Sequence, residues 1–263
     1  MTHPPSLPVA IMSAVLAFAS AHAGPVNAAL VRTALPTDSN AGEVSADSPD
    51  EPSLVIATGD FNRDGIADIV QATSPDGKDS SQHILTVLLG DADGTFKSVA
   101  SQNLIGREPR ALAVGDFNGD GNPDVIVGDG DGTIQEFVGD GKGGMVAVGE
   151  IAALGSVASI AVGHFTRDGN LDLVVSDVRS NSAEIFLGAG NGSFQATWSF
   201  QLPRKGAEFH IATADFNGDG IADLVITDEE DYNYEVMLGN GNGTFTYSPE
   251  LSHLKDPNSY CPS

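Results

Sequence analysis

One cysteine, Cys261, occurs in 263 residues, so no disulfide can form within the chain and cystine is excluded as the source of stability. Tryptophan also occurs once, at Trp198, and aromatics make up only 6% of residues, which leaves a core to be built mainly from aliphatic side chains. Lys and Arg number 12 against 36 Asp and Glu, a formal net charge of −24. That shortage of positive charge excludes nucleic acid and anionic membrane surfaces as partners. Long apolar runs are missing too. The one marked stretch, residues 7–21, is too short to anchor in a membrane and precedes Ala21-His22-Ala23-Gly24, the small-x-small form of a signal peptidase site. No Lys or Arg precedes it, a departure from the usual leader. Residues 1–23 are read as a signal peptide, and the mature chain as secreted, extracellular or periplasmic. Residues 24–52, rich in Ala, Pro, Ser, Asp and Asn without periodicity, are read as a disordered linker.

What the chain does contain is a nine-residue phrase written four times: Asp60-Phe-Asn-Arg-Asp-Gly-Ile-Ala-Asp68, Asp116-Phe-Asn-Gly-Asp-Gly-Asn-Pro-Asp124, His164-Phe-Thr-Arg-Asp-Gly-Asn-Leu-Asp172 and Asp215-Phe-Asn-Gly-Asp-Gly-Ile-Ala-Asp223. The starts lie 56, 48 and 51 residues apart, the mark of a repeat array. Positions one, three, five and nine offer hard oxygen donors: Asp60, Asn62, Asp64 and Asp68; Asp116, Asn118, Asp120 and Asp124; Asp215, Asn217, Asp219 and Asp223. Position seven adds a backbone carbonyl from Ile66, Asn122 or Ile221. Oxygen-only donors in a tight loop suit Ca²⁺. Glycine at position six, as in Gly65, permits the positive φ of a sharp turn. An acidic turn without metal is the competing reading of any single copy, but carboxylates crowded in four registered copies repel one another unless a cation is present.

A helical calcium loop is excluded. An EF-hand needs Glu at position twelve, where this chain has Gln71, Val127, Val175 and Ile226. The flanks are short Val- and Ile-rich runs that favour strands. Copy three departs from its siblings. His164 and Thr166 replace the first two ligands, leaving Asp168 and Asp172 as the only carboxylates. Three strong calcium sites and a fourth weak or vacant one are expected.

A second phrase follows each loop: Leu89-Gly-Asp-Ala-Asp-Gly-Thr-Phe96, Val138-Gly-Asp-Gly-Lys-Gly-Gly-Met145, Leu187-Gly-Ala-Gly-Asn-Gly-Ser-Phe194 and Leu238-Gly-Asn-Gly-Asn-Gly-Thr-Phe245. Alternate glycines between apolar runs mark a turn joining two strands. A phosphate loop would need a Gly-Lys-Ser/Thr ending and a following helix, and neither is present. Asn191-Gly-Ser193 and Asn242-Gly-Thr244 match the N-glycosylation pattern but read as turn chemistry. Each unit is thus strand, acidic loop, strand, longer turn, strand, glycine turn, strand. In the first unit the strands are expected near Ser53–Thr58, Ala67–Thr73, His83–Leu89 and Phe96–Asn103. Four antiparallel strands per unit predict an all-β propeller of about four blades, near 53–105, 109–153, 156–202 and 207–250, with a tail over 251–263. A nonapeptide β-helix has far too short a period.

Phe-Asn-Gly-Asp-Gly followed by Gly-Asn-Gly-Thr-Phe resembles the FG-GAP (VCBS) repeat, the blade unit of integrin α-subunit propellers and of many secreted bacterial proteins. The resemblance spans about residues 53–250. It implies calcium at the Asp and Asn positions named above, and a ring that usually has about seven blades, where this chain has motifs for four.

Two function classes compete. One is a secreted, non-catalytic binding or adhesion module for a glycan or protein; the alternative is a polysaccharide-degrading, lyase-like enzyme on a propeller scaffold. The six His are scattered and no nucleophile motif appears. Almost every recurrent carboxylate already has a metal-binding explanation, so the binding module is preferred. The repeat is broken by insertions at 73–83 and 228–234, and Trp198, Tyr232 and Tyr234 are candidate ligand-stacking rings. A closed four-bladed monomer is expected in preference to a dimer.

Overall fold

The computed structural model describes residues 31–32, 54–74, 82–202, 209–228 and 234–252. These residues form strands and turns only. Blade one comprises β2 (Leu54–Gly59), β3 (Asp68–Thr73), β4 (Ile84–Gly90) and β5 (Phe96–Asn103), with a short β1 (Val31–Arg32) paired to the edge of β2 opposite β3. Blade two is β6 (Pro109–Gly115), β7 (Asp124–Asp129), β8 (Thr133–Gly139) and β9 (Met145–Ala153). Blade three is β10 (Val157–Gly163), β11 (Asp172–Asp177), β12 (Ser182–Gly188) and β13 (Phe194–Gln201). Blade four is β14 (Phe209–Ala214), β15 (Asp223–Asp228), β16 (Tyr234–Gly239) and β17 (Phe245–Tyr247).

Every sheet is an antiparallel meander in chain order, and the strands expected for unit one are displaced by at most one residue. A register shift recurs near the middle of the third strand of blades one to three, at Val87/Leu88, Glu136/Phe137 and Ile185/Phe186. Such bulges sharpen the local twist, and the repeat reproduces this irregularity along with the regular pairing. The proposed linker lies outside the described residues except for Val31–Arg32, which take up a strand position instead of remaining irregular.

The blades stack face to face. Three apolar layers separate four blades: Val55, Val70, Val125 and Val127 lie in the first, Ile126, Val157, Leu173 and Val175 in the second, and Val174, Ile185, Leu224 and Ile226 in the third. Strands β7 and β11 are buried along their whole length because a blade covers each side. Strand β3 alternates buried and half-buried, since one face of blade one has no neighbour. The first strands pack in the order β2, β6, β10, β14, and no comparable packing brings β14 back onto β2. Among the described residues the array has three such interfaces.

Candidate functional site: the four acidic loops

All four acidic loops join the first two strands of their blades, so they share one rim. The Asp at position nine is buried in every copy: Asp68, Asp124, Asp172 and Asp223. One oxygen accepts the N–H of the loop Phe (Phe61, Phe117, Phe165, Phe216) at 2.7–3.0 Å. The other accepts the N–H of the first glycine in the glycine turn (Gly90, Gly139, Gly188, Gly239) at 2.7–3.0 Å. A carboxylate therefore ties the two repeated phrases together. The glycine is required for this: a β-carbon on Gly139 would collide with the carbonyl oxygen of Pro123, and Gly90, Gly188 and Gly239 meet the same obstacle. Burial pushes the Asp124 carboxyl up to about 6, against the pull of its two N–H donors, and raises Asp172 for the same reason.

The outer half of the loop is a different environment. In copies one, two and four, position one accepts the N–H of position six: Gly65 to Asp60 at 3.0 Å, Gly121 to Asp116 at 2.9 Å and Gly220 to Asp215 at 2.9 Å. Position three accepts the N–H of position five at 2.8–3.0 Å, from Asp64, Asp120 and Asp219. Position five accepts the N–H of position seven at 2.7–2.8 Å. These bonds hold Asp and Asn oxygens around one turn of exposed or half-exposed backbone. In loop four the backbone N–H groups, Gly220 foremost, also hold the Asp215 carboxyl below the usual range.

The sequence reading expected three carboxylates and an amide to converge. The structure divides them, two carboxylates and the amide outside and the ninth-position carboxylate inside. Among the described residues no three His, Cys, Asp or Glu side chains gather as a ready metal cage. The donor chemistry of the outer half still fits Ca²⁺, because each carboxylate has about four lone-pair positions and the loop N–H groups use only some of them. Asp60, Asn62 and Asp64, with the backbone carbonyl of Ile66, are the groups that could hold an ion in loop one. Their counterparts Asp116, Asn118, Asp120 and Asn122 serve loop two, and Asp215, Asn217, Asp219 and Ile221 loop four.

Loop three lacks this outer arrangement. His164 Nδ1 lies 2.7 Å from the Asn170 carbonyl oxygen and donates to it, so the substitution removes a carboxylate and also occupies the position-seven carbonyl. Asp168 keeps its bond from the Asn170 N–H, which lowers its pKa, and Asp172 keeps the buried tie. The frame of the loop survives although its donor set does not.

The FG-GAP-like repeat profile matches residues 60–127, 116–175, 164–226 and 215–261. The chain belongs to the FG-GAP repeat family. The first three matches run from one acidic loop into the second strand of the following blade, so the FG-GAP unit straddles two blades, as the stacking of the fold does. The family is typically non-catalytic, and the chain is a binding or adhesion module in a propeller-like fold. No curated protein matches the chain.

The remaining predicted residues are spread apart. Trp198 is half-buried and packs on Phe200 at 5.2 Å and Phe245 at 6.0 Å, closing the layer between blades three and four. Its ring serves packing. Tyr234 is exposed at the start of β16, and Tyr232 lies outside the described residues. The two glycosylation-like triplets are turns, with Asn191 Oδ1 and Asn242 Oδ1 each accepting from the N–H and hydroxyl two residues on.

Two features escaped the sequence reading. Ser74 Oγ and His83 Nδ1 lie 2.6 Å apart at the two ends of the first insertion, but both side chains are buried, which makes the pair a clasp and not a nucleophile. Glu136 occupies, on β8, the interface position that Val87 and Ile185 fill in blades one and three. Burial pushes its carboxyl up to about 7. A register comparison of the third strands would have found it. It lines a cleft of about 390 Å³ between blades two and three, together with Asn118, Val148, Asn191 and Phe194.

Proposed function

We propose that the protein is an exported calcium-binding module that attaches to an extracellular glycan or protein. Loops one, two and four each hold a Ca²⁺ ion and loop three holds none. The observation that carries this reading is the shared bond pattern of the three regular loops, which fixes hard oxygens on one exposed rim while leaving lone pairs unused. A bound ion neutralises carboxylates that otherwise repel, stiffens the rim without disulfides, and offers a cation to which hydroxyls or carboxylates of a ligand could add. The cleft that Asn118 lines places a concave surface beside loop two. The leader-like residues 1–23 and the absence of internal disulfides agree with a fold stiffened by the calcium available outside cells.

Calorimetric titration of chelated protein with Ca²⁺ tests the metal directly, with three ions per chain expected. Glycan-array binding in millimolar Ca²⁺ and in excess chelator tests the ligand class. Binding that is indifferent to chelator would detach the recognition surface from the loops. Binding to no glycan would turn the reading to a protein ligand.

A further inference from the structure

Neighbouring blades are joined by one repeated contact. The Phe at position two of each loop is covered by the next blade, leaving Phe61, Phe117 and Phe165 at 1%, 2% and 0% exposure. Its carbonyl accepts an N–H from that blade's glycine turn: Gly143 at 2.9 Å, Gly192 at 2.9 Å and Gly243 at 3.1 Å. Its ring meets the residue that closes the turn. Phe117 meets Phe194 edge-on at 5.7 Å, Phe165 meets Phe245 at 5.1 Å, and Phe61 shares a cluster with Met145.

The two ends of the array carry the unmatched halves of this contact. Phe216, the fourth loop's Phe, is 46% exposed, and Phe96, which closes the first glycine turn, is 50% exposed. The Gly94 N–H, which stands where Gly143 and Gly243 reach the previous blade, donates to Asp91 of its own turn. The space beside Gly94 is open, whereas Gly143 and Gly243 abut Leu89 and Leu187. The strand faces agree. Ala212 is exposed where Ala57, Ala113 and Ala161 are buried. Ile69 is half-buried where its counterparts Val125, Leu173 and Leu224 are wholly buried. Blade four thus presents a complete face for a following blade, and blade one a complete face for a preceding one.

We propose that these two faces are an interface between two copies of this chain. Blade four of each copy docks on blade one of the other, extending the rule that already joins the blades within the chain. A two-fold axis repeats the contact, and the result is an eight-bladed ring with no open end, within the range that propellers adopt. Closure of the chain on itself is disfavoured for two reasons. Among the described residues β14 makes no packing on β2 comparable to that between neighbouring blades, and Val31–Arg32 add a strand at the edge of β2 that a tight four-bladed ring would need for its axis.

Sedimentation of the full chain in Ca²⁺ tests the proposal, and the mass of two chains is expected. Phe216→Asp and Phe96→Asp should each shift the mass to that of one chain. Their far-UV circular dichroism should be unchanged, because each ring lies outside the single chain's core. If either variant fails to fold, the other decides. A single-chain mass for the unmodified protein overturns the proposal, as does a dimer that survives both substitutions.

Discussion

Loops two and three have the same length, the same strand exits and the same buried tie, yet differ at positions one and three, which face solvent. In loop two, Asp116 draws the N–H groups of Gly119, Asp120 and Gly121 around itself. In loop three, His164 spends its ring nitrogen on the Asn170 carbonyl. The glycine turns behind them are nonetheless held alike, through Asp124 to Gly139 and Asp172 to Gly188, both at 3.0 Å. The acidic phrase therefore has two separable parts. Phe at position two and Asp at position nine serve the fold, while positions one, three and five supply the exposed oxygens on which the proposed Ca²⁺ site rests, so losing the second part leaves the first intact.

The largest expected effect tests that separation. Asp124→Ala and Asp172→Ala should each destabilise the protein by about 3 kcal/mol, because each leaves two buried N–H groups without an acceptor. Urea unfolding in excess chelator would measure both. Equal losses support a folding role common to the two loops, and a negligible loss at Asp172 would break it.

A second comparison lies beneath the same two loops, at Glu136. Its pKa is raised by burial to about 7 from an ordinary value of 4.5, so the folded state resists its ionisation. Stability from this position is complete below about pH 4.5 and is lost as pH rises through 7. Glu136→Gln should therefore be close to neutral at pH 5 and stabilising by on the order of 2 kcal/mol at pH 8. Thermal melts of both proteins across that range decide it, with a pH-independent difference as the contrary result.

Calcium should then distinguish the loops individually. At ten times the dissociation constant a bound ion stabilises by about 1.4 kcal/mol per site. Asp116→Ala should lose one such increment in chelator-versus-Ca²⁺ melts, and His164→Ala should lose none. The smallest effect runs the opposite way: His164→Asp with Thr166→Asn should add one bound ion per chain by equilibrium dialysis. No added ion would mean that loop three is closed to metal by something other than those two residues.

Much of this was legible in the chain alone. The apolar alternation of β2 to β5 and the glycine turn before Phe96 placed each strand within a residue, because strands and tight turns are written by local periodicity and by φ requirements. The exposed oxygens of positions one, three and five were legible for the same reason, since residue identity and spacing are sequence properties. The inward turn of Asp68 and its equivalents was not legible, because that depends on two N–H groups 22 to 29 residues apart meeting at one carboxylate. Trp198 stood as a candidate stacking ring because its partner across the blades, Phe245, meets it only when β13 lies beside blade four.

By itself the sequence determined that four similar β units would form, which loops carry hard oxygen donors and which copy lacks them. Tertiary structure decided what each equivalent residue does. Phe61 and Phe216 stand in the same phrase, yet one is buried and the other half exposed. Burial belongs to the neighbouring blade and not to the residue. A repeat specifies its own faces, and only stacking determines which of them remain uncovered.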